Sequence, residues 1–269
     1  MDTVHHQAAD ILLIPDPYEK CDAILALCKE CISGNISIAD SRPLDIQWIE
    51  TPGRPLYPEL IRPAKLPKRS LHTEDGRMIF MHAIAHIEFN AINLACDAVY
   101  RFYGLPRQYY LDWLSVAADE ARHYRLIIEY LGQRGCHYGD YAAHDGLWDM
   151  AMKTQHDVIA RMALVPRVLE ARGLDVTPAM IEKLRKAGDH AAANVLKVIY
   201  EEEIRHVELG SYWFRYLCEQ RDINAEETFF DLLDVHFAGE LRGPFNLAAR
   251  MQAGFSQVEL SRLNREPDR

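Results

Sequence analysis

One acidic pattern occurs twice in this chain and restricts its fold more than any other feature. Glu88 is followed after 30 residues by Asp119-Glu120-Ala121-Arg122-His123, and Glu170 is followed after 31 by Glu202-Glu203-Ile204-Arg205-His206. Helical residues three apart share a face, so Glu120 with His123, and Glu203 with His206, each aim one oxygen and one nitrogen the same way. The separations, 32 residues from Glu88 to Glu120 and 33 from Glu170 to Glu203, predict two helical hairpins with their ligands level. A lone Glu on two helices and a Glu-x-x-His pair on two others make the ligand set of a carboxylate-bridged di-metal site. The expected metal ligands are therefore Glu88, Glu120, His123, Glu170, Glu203 and His206.

The surroundings of these acids strengthen the reading. Met81, Ile84, Ala85, Ala91, Ile92 and Ala95 share the face of Glu88, and Trp113, Val116, Ala117, Tyr124 and Ile127 that of Glu120. Leu196, Ile199, Tyr200, Val207 and Gly210 flank Glu203. A carboxylate in an apolar stripe either loses its charge or gains a counter-charge. A bound cation supplies one; buried salt bridges to Arg122 and Arg205 are the alternative.

Helical periodicity runs through the chain, and no segment alternates as a sheet strand does. The pattern predicts a first amphipathic helix near Tyr18 to Ile32, then an irregular strap. Pro52, Pro55, Pro58, Pro63 and Pro67 forbid a helix there, and Arg54, Arg62, Lys65, Lys68 and Arg69 face a single acid, Glu59. The strap reads as a solvated cover on an acidic bundle or as a basic lip for an anionic substrate. Bundle helices are expected over about Glu74 to Tyr103, Arg107 to Leu131, Leu147 to Arg172 and His190 to Glu219. Gly173 and the Thr177-Pro178 pair predict a break after Glu170 and a short helix from Pro178 to Ala187. That break makes Glu170 the weakest of the six ligands and suggests a mobile gate beside it. Glu182 lies on the wrong segment to replace it, and Asp157 lies too far along. The expected organisation is one compact domain: residues 1–73 as helix and strap, 74–219 as a four-helix bundle with a long crossover, and 220–269 as a C-terminal helical extension.

Composition narrows the function. At 269 residues and 49% hydrophobic, the chain can bury a full core. Its net charge of −10 argues against a nucleic-acid-coating protein, and no long apolar run predicts a membrane span. A soluble cytoplasmic protein with six reduced cysteines is the expectation, and Cys28-x-x-Cys31 lacks a second pair to form a zinc site. His82 and His86 have metal-like spacing but point about 120° and 160° away from Glu88 at roughly 100° per residue, so hydrogen bonds to the strap or terminal helices are expected of them. Asp119 and Glu202 are candidate partners behind the ligand histidines, with Arg122 and Arg205 as their ion-pair partners. His156, His190 and His236 have no partner at ligand spacing.

With these residues in place, the doubled pattern resembles that of the ferritin-like di-iron carboxylate superfamily. Pro52-Gly53-Arg54-Pro55, His82 to Glu88, Glu170 to Pro178 and Arg242-Gly243-Pro244-Phe245-Asn246 resemble a bacterial ferritin-like family of unknown function, across about residues 40 to 260. The resemblance implies an all-α, ferritin-like fold and a metal site, and a distantly related tRNA hydroxylase adds one alternative activity. Glutamate and imidazole without thiolate favour two iron ions, with manganese possible. No flavin or nucleotide fingerprint is present, so an enzyme would need an external electron donor. The first expectation is an O2-activating oxygenase or oxidase acting on a small organic substrate. A ferroxidase or peroxidase-type stress protein and a non-catalytic metal-stabilised scaffold are the alternatives, and a homo-oligomer is open. An RNA substrate would require phosphate contacts from the strap. Phe245, Asn246 and Arg250 are candidate pocket residues, although helix capping explains Gly-Pro-Phe-Asn as well.

Overall fold

The computed structural model describes residues 3–38, 48–67, 70–237 and 241–264. Lys68 and Arg69 of the expected basic strap lie outside them, as does the start of the chain. The regular structure of the described residues is helical, and only the isolated bridges Thr3–Ser37 and Leu60–Ala143 have strand-like pairing. The chain divides into two compact units, 1–153 and 154–269. The boundary therefore falls inside the 74–219 span expected for one bundle.

The N-terminal unit is built on an antiparallel pair, α3 (Glu74–Arg101) and α4 (Arg107–Gly132). Thr73 caps α3 by accepting the Gly76 amide, and Glu74 and Asp75 complement the positive end of the helix dipole. α1 (Val4–Leu13) packs on α3, and α2 (Pro17–Ile32) on α4. With these on one side and α5 (Gly146–Lys153) on another, α3 is buried nearly all round. Its most apolar 18-residue window is long and apolar enough to span a membrane, but 83% of it is buried inside the protein.

Such a helix must pair every polar side chain it carries. Arg101 binds Asp97 within α3 at 2.6 Å, with both side chains fully buried. The ammonium of Lys20 from α2 donates to the Leu12 carbonyl, the Gly53 carbonyl and the Asn93 side chain, joining α1, strap and α3. Burial lowers its pKa to about 7. The strap also pairs with the loop before α5 through Glu59, Ile61 and Ala143, and Arg54 binds Asp145 at 2.8 Å. Arg62 and Lys65 are exposed.

The C-terminal unit departs from expectation. α6 (Val158–Leu164), a π-helical turn (Val165–Glu170) and α7 (Ala171–Lys186) follow one another without a break, through Gly173 and Pro178. The expected break and the separate helix from Pro178 are absent, and the third helix starts at Val158, not Leu147. Asp157 caps that start by accepting the Ile159 amide. Two observations explain the continuity. Leu174, Ile181 and Leu184 are buried, with α7 packed on α8 (His190–Gln220), so packing outweighs the local stop signals. The Leu174 carbonyl, which Pro178 cannot serve for lack of an N–H, takes the side-chain amide of Asn246 at 3.2 Å.

Pro166 lies inside the π turn, whose widened ladder runs from the Ala171 amide to the Pro166 carbonyl. The turn fits against α8 because Gly210 has no side chain: a Cβ there would stand 2.4 Å from the Pro166 ring. The reversal into α8 falls at Gly188, which adopts φ +80°, a region glycine enters without strain. α9 (Ala225–Phe237), α10 (Leu247–Gln252) and α11 (Gln257–Leu263) complete the unit. Arg167, fully buried, binds Glu259 at 2.6 Å and lies over the rings of Phe214, Phe229 and Phe255.

Candidate metal centre

In the N-terminal unit, Glu88 on α3 and Glu120 and His123 on α4 converge as the sequence spacing predicts. Their exposures are 5%, 1% and 0%. His123 Nδ1 lies 3.1 Å from Glu88 Oε2 and 3.5 Å from Glu120 Oε2, and one ligand atom from each residue lies within 4.8 Å of the others. This is a donor set of two carboxylate oxygens and one imidazole nitrogen.

Burial, the mutual repulsion of the two acids and their hydrogen bonds to the imidazole set the electrostatics of the cluster. Burial pushes the Glu88 carboxyl well above the usual range, and the neighbouring Glu120 charge adds to the push, while His123 opposes it. Burial works against a charge on His123, but hydrogen bonds to Glu120 and Glu88 and their charges override it and raise its pKa to about 11. The cluster therefore retains protons, on the imidazole and on the Glu88 carboxyl, which burial and the Glu120 charge keep from ionising. A divalent ion with the same three donors would satisfy the same need.

The C-terminal unit holds the second set. His206 Nδ1 lies 3.2 Å from Glu203 Oε2 on α8, with His206 buried and Glu203 half-buried. Glu170 is the last residue of the π turn and half-buried. Gly173, one turn on, lies against Glu203: a Cβ there would be 3.8 Å from Glu203 Cγ. The segment carrying Glu170 is thus a packed helix beside Glu203 and offers no loop to serve as a gate.

The flanking residues sort themselves by exposure. Asp119 binds Arg122 at 2.5 Å on the outer side of α4, as the ion-pair expectation has it. Glu202 is half-buried and Arg205 exposed. Phe245, Asn246 and Arg250 form a clamp on α7. Arg250, 1% exposed, grips both oxygens of Asp175 at 2.9 and 2.8 Å and lies 5.1 Å from the Phe245 ring. Asn246 caps α10 by accepting the Ala249 amide and donates to Leu174 and Tyr200.

His82 and His86 meet the segment between α4 and α5. His86 Nε2 faces the His144 carbonyl at 3.1 Å, which leaves Nδ1 to accept from the Tyr138 hydroxyl at 2.8 Å. Burial lowers its pKa to about 4. His82 Nε2 accepts the Gly139 amide. Sequence reasoning missed Tyr138, which stacks on His82 and stands at right angles to Tyr124. Its Gly-rich neighbourhood reads as loop, and no local signal marks it.

The chain matches the family described as "Protein of unknown function (DUF455)" over residues 13–261. It is similar to a Haemophilus influenzae protein described as "Uncharacterized protein", at 47% identity over 213 residues, covering 77% of this chain and 74% of that one. No solved structure matches.

Proposed function

We propose that this chain, which belongs to the DUF455 family, is a carboxylate di-metal protein of ferritin-like type, an oxidoreductase that uses O2 on a small organic substrate. The observation that carries the reading is the buried convergence of Glu88, Glu120 and His123, in a chain that repeats the pattern at Glu170, Glu203 and His206. The donor chemistry suits iron or manganese, being all oxygen and imidazole nitrogen. When bound, two ferrous ions would supply electrons for the reduction of dioxygen.

The chain's own contribution is positioning and exclusion of water. Glu120 and His123 stand on one face of α4, so a single rotation of that helix sets both. Glu88 crosses from α3, which is buried along most of its surface. Glu88, Glu120 and His123 are themselves almost fully buried, which limits the water that reaches the cluster.

Elemental analysis of the full chain from iron- and manganese-supplemented cultures tests the metal, with about two ions per chain expected. Oxygen uptake by the ferrous protein tests the chemistry. No metal from either culture, in a protein that folds normally, overturns the reading in favour of a buried acid–imidazole cluster. Metal without oxygen uptake leaves a metal-stabilised scaffold.

A further inference from the structure

A half-open pocket of about 260 Å³ lies in the N-terminal unit, between the start of α2, the strap, α4 and the segment after it. None of Glu88, Glu120 and His123 lines it. Its walls are aromatic and apolar. Tyr124 and Tyr138 stand with ring planes at 89° and centroids 5.4 Å apart, giving two perpendicular walls. Tyr18, Pro55 and Ile128 add to them, and Asp16 stands at the rim.

The chemistry of those walls selects the occupant. Among the described residues, no lysine or arginine lines the pocket; the one basic side chain in its lining is the imidazole of His137, whose Nδ1 lies 3.8 Å from Asp140 Oδ2. The Asp16 carboxylate is held in place because its Oδ1 accepts the Tyr18 and Glu19 amides, both at 2.9 Å. The Tyr138 hydroxyl is engaged by His86, so that residue offers the pocket its ring. Tyrosine faces carry the negative part of the ring quadrupole and attract a cation that sheds its water easily. A single rim carboxylate with two or three phenols is too poor in charged oxygen for a divalent metal, whose hard-ion sites need several such ligands. The volume is below the roughly 300–1,000 Å³ of pockets for drug-sized molecules, so the occupant is small.

We infer that this pocket binds a small organic cation with an apolar surface, of the quaternary-ammonium class, seated between Tyr18, Tyr124 and Tyr138 with its charge facing Asp16. The site is separate from the metal ligands and stands whether or not the chain carries iron.

Calorimetric titration of the full chain with choline chloride, and with its neutral isostere 3,3-dimethylbutan-1-ol, tests the inference at low salt. Choline should saturate the protein and bind about tenfold more tightly than the isostere, the discrimination expected of a cation in an aromatic box. Asp16→Asn keeps an α2 cap of equal quality, since asparagine caps a helix as well as aspartate does. It should weaken choline about fivefold and leave the isostere unchanged, as should Tyr18→Leu, which keeps apolar area and removes the ring. The inference is overturned if choline fails to saturate, if the isostere binds as well as choline, or if both variants leave choline binding unchanged.

Discussion

The side-chain amide of Asn246 donates to the carbonyl of Leu174 at 3.2 Å, occupying the acceptor that Pro178 leaves open in α7. The same clamp adds the Asn246 amide and the Arg250 guanidinium on Asp175, and Arg172 on the carbonyls of Arg242 and Pro244. A helix that carries Gly173 and Pro178 is therefore held by a segment some 70 residues further along the chain.

Removing that donor should expose the cost of the proline. Asn246→Ala is expected to destabilise the protein by about 1–3 kcal/mol, from the lost α10 cap and the unserved carbonyl. Pro178→Ala restores an N–H for Leu174, so Asn246→Ala should cost less in that background. Urea unfolding of the four proteins in this cycle measures the coupling. Strictly additive losses would show that the Asn246–Leu174 bond is not a replacement for the missing one.

Metal loading should expel protons. The ligands must be carboxylates and neutral imidazole, whereas without metal His123 holds its proton to about pH 11 and the Glu88 carboxyl resists ionisation. Apparent affinity should rise with pH between 6 and 8, by about tenfold per pH unit for each proton displaced. Heats of ferrous or manganous binding in buffers of different ionisation enthalpy give the proton count. A count of zero would mean that the ion does not displace the His123 proton.

The ligand assignment has its own test in metal content. Glu120→Ala, His123→Ala and Glu203→Ala should each lower the metal bound per chain, while His82→Ala should not, since its Nε2 is committed to the Gly139 amide. Full stoichiometry in all three ligand variants would remove the assignment.

His86 should make the fold acid-sensitive. It stays neutral in the folded protein down to about pH 4, whereas in the unfolded chain it takes a proton below the usual 6.5. The unfolded state thus binds the extra proton in that window, and stability falls as the pH drops from 6.5 towards 4, by at most about 1.4 kcal/mol per pH unit. In His86→Gln the slope across this window should be shallower by one proton, measured by urea midpoints at each pH. Parallel curves would place the titration elsewhere.

Gly210→Ala probes the π turn. The added methyl would meet the Pro166 ring at 2.4 Å, and neither partner is a flexible side chain end. The expected loss is about 1–3 kcal/mol, the usual cost of overpacking. Pro166→Ala in the same chain should recover part of it.

The helices around the N-terminal cluster were legible because their signals are local. The α3 start at Glu74 and the α4 and α8 starts at Arg107 and His190 coincide with the sequence expectation. The convergence of Glu88, Glu120 and His123 followed from spacing alone. α7 did not, since what keeps it continuous is a clamp from Arg242 to Arg250 that no window around Pro178 contains. Likewise Tyr138 owes its place to His82, His86 and Tyr124, residues that local sequence does not connect to it. α1 was missed: it is a short helix with two histidines near its start and no acidic first turn.

The ammonium of Lys20 has acceptors on Leu12, Gly53 and Asn93, and the last is 73 residues downstream. During synthesis at about 5–20 residues per second, that acceptor follows Lys20 out of the ribosome by roughly 4 to 15 s. Until then α1 has no α3 to pack on, and α2 waits still longer for α4. The segments that Lys20 ties together therefore cannot be secured before the helix that carries Glu88 has been made.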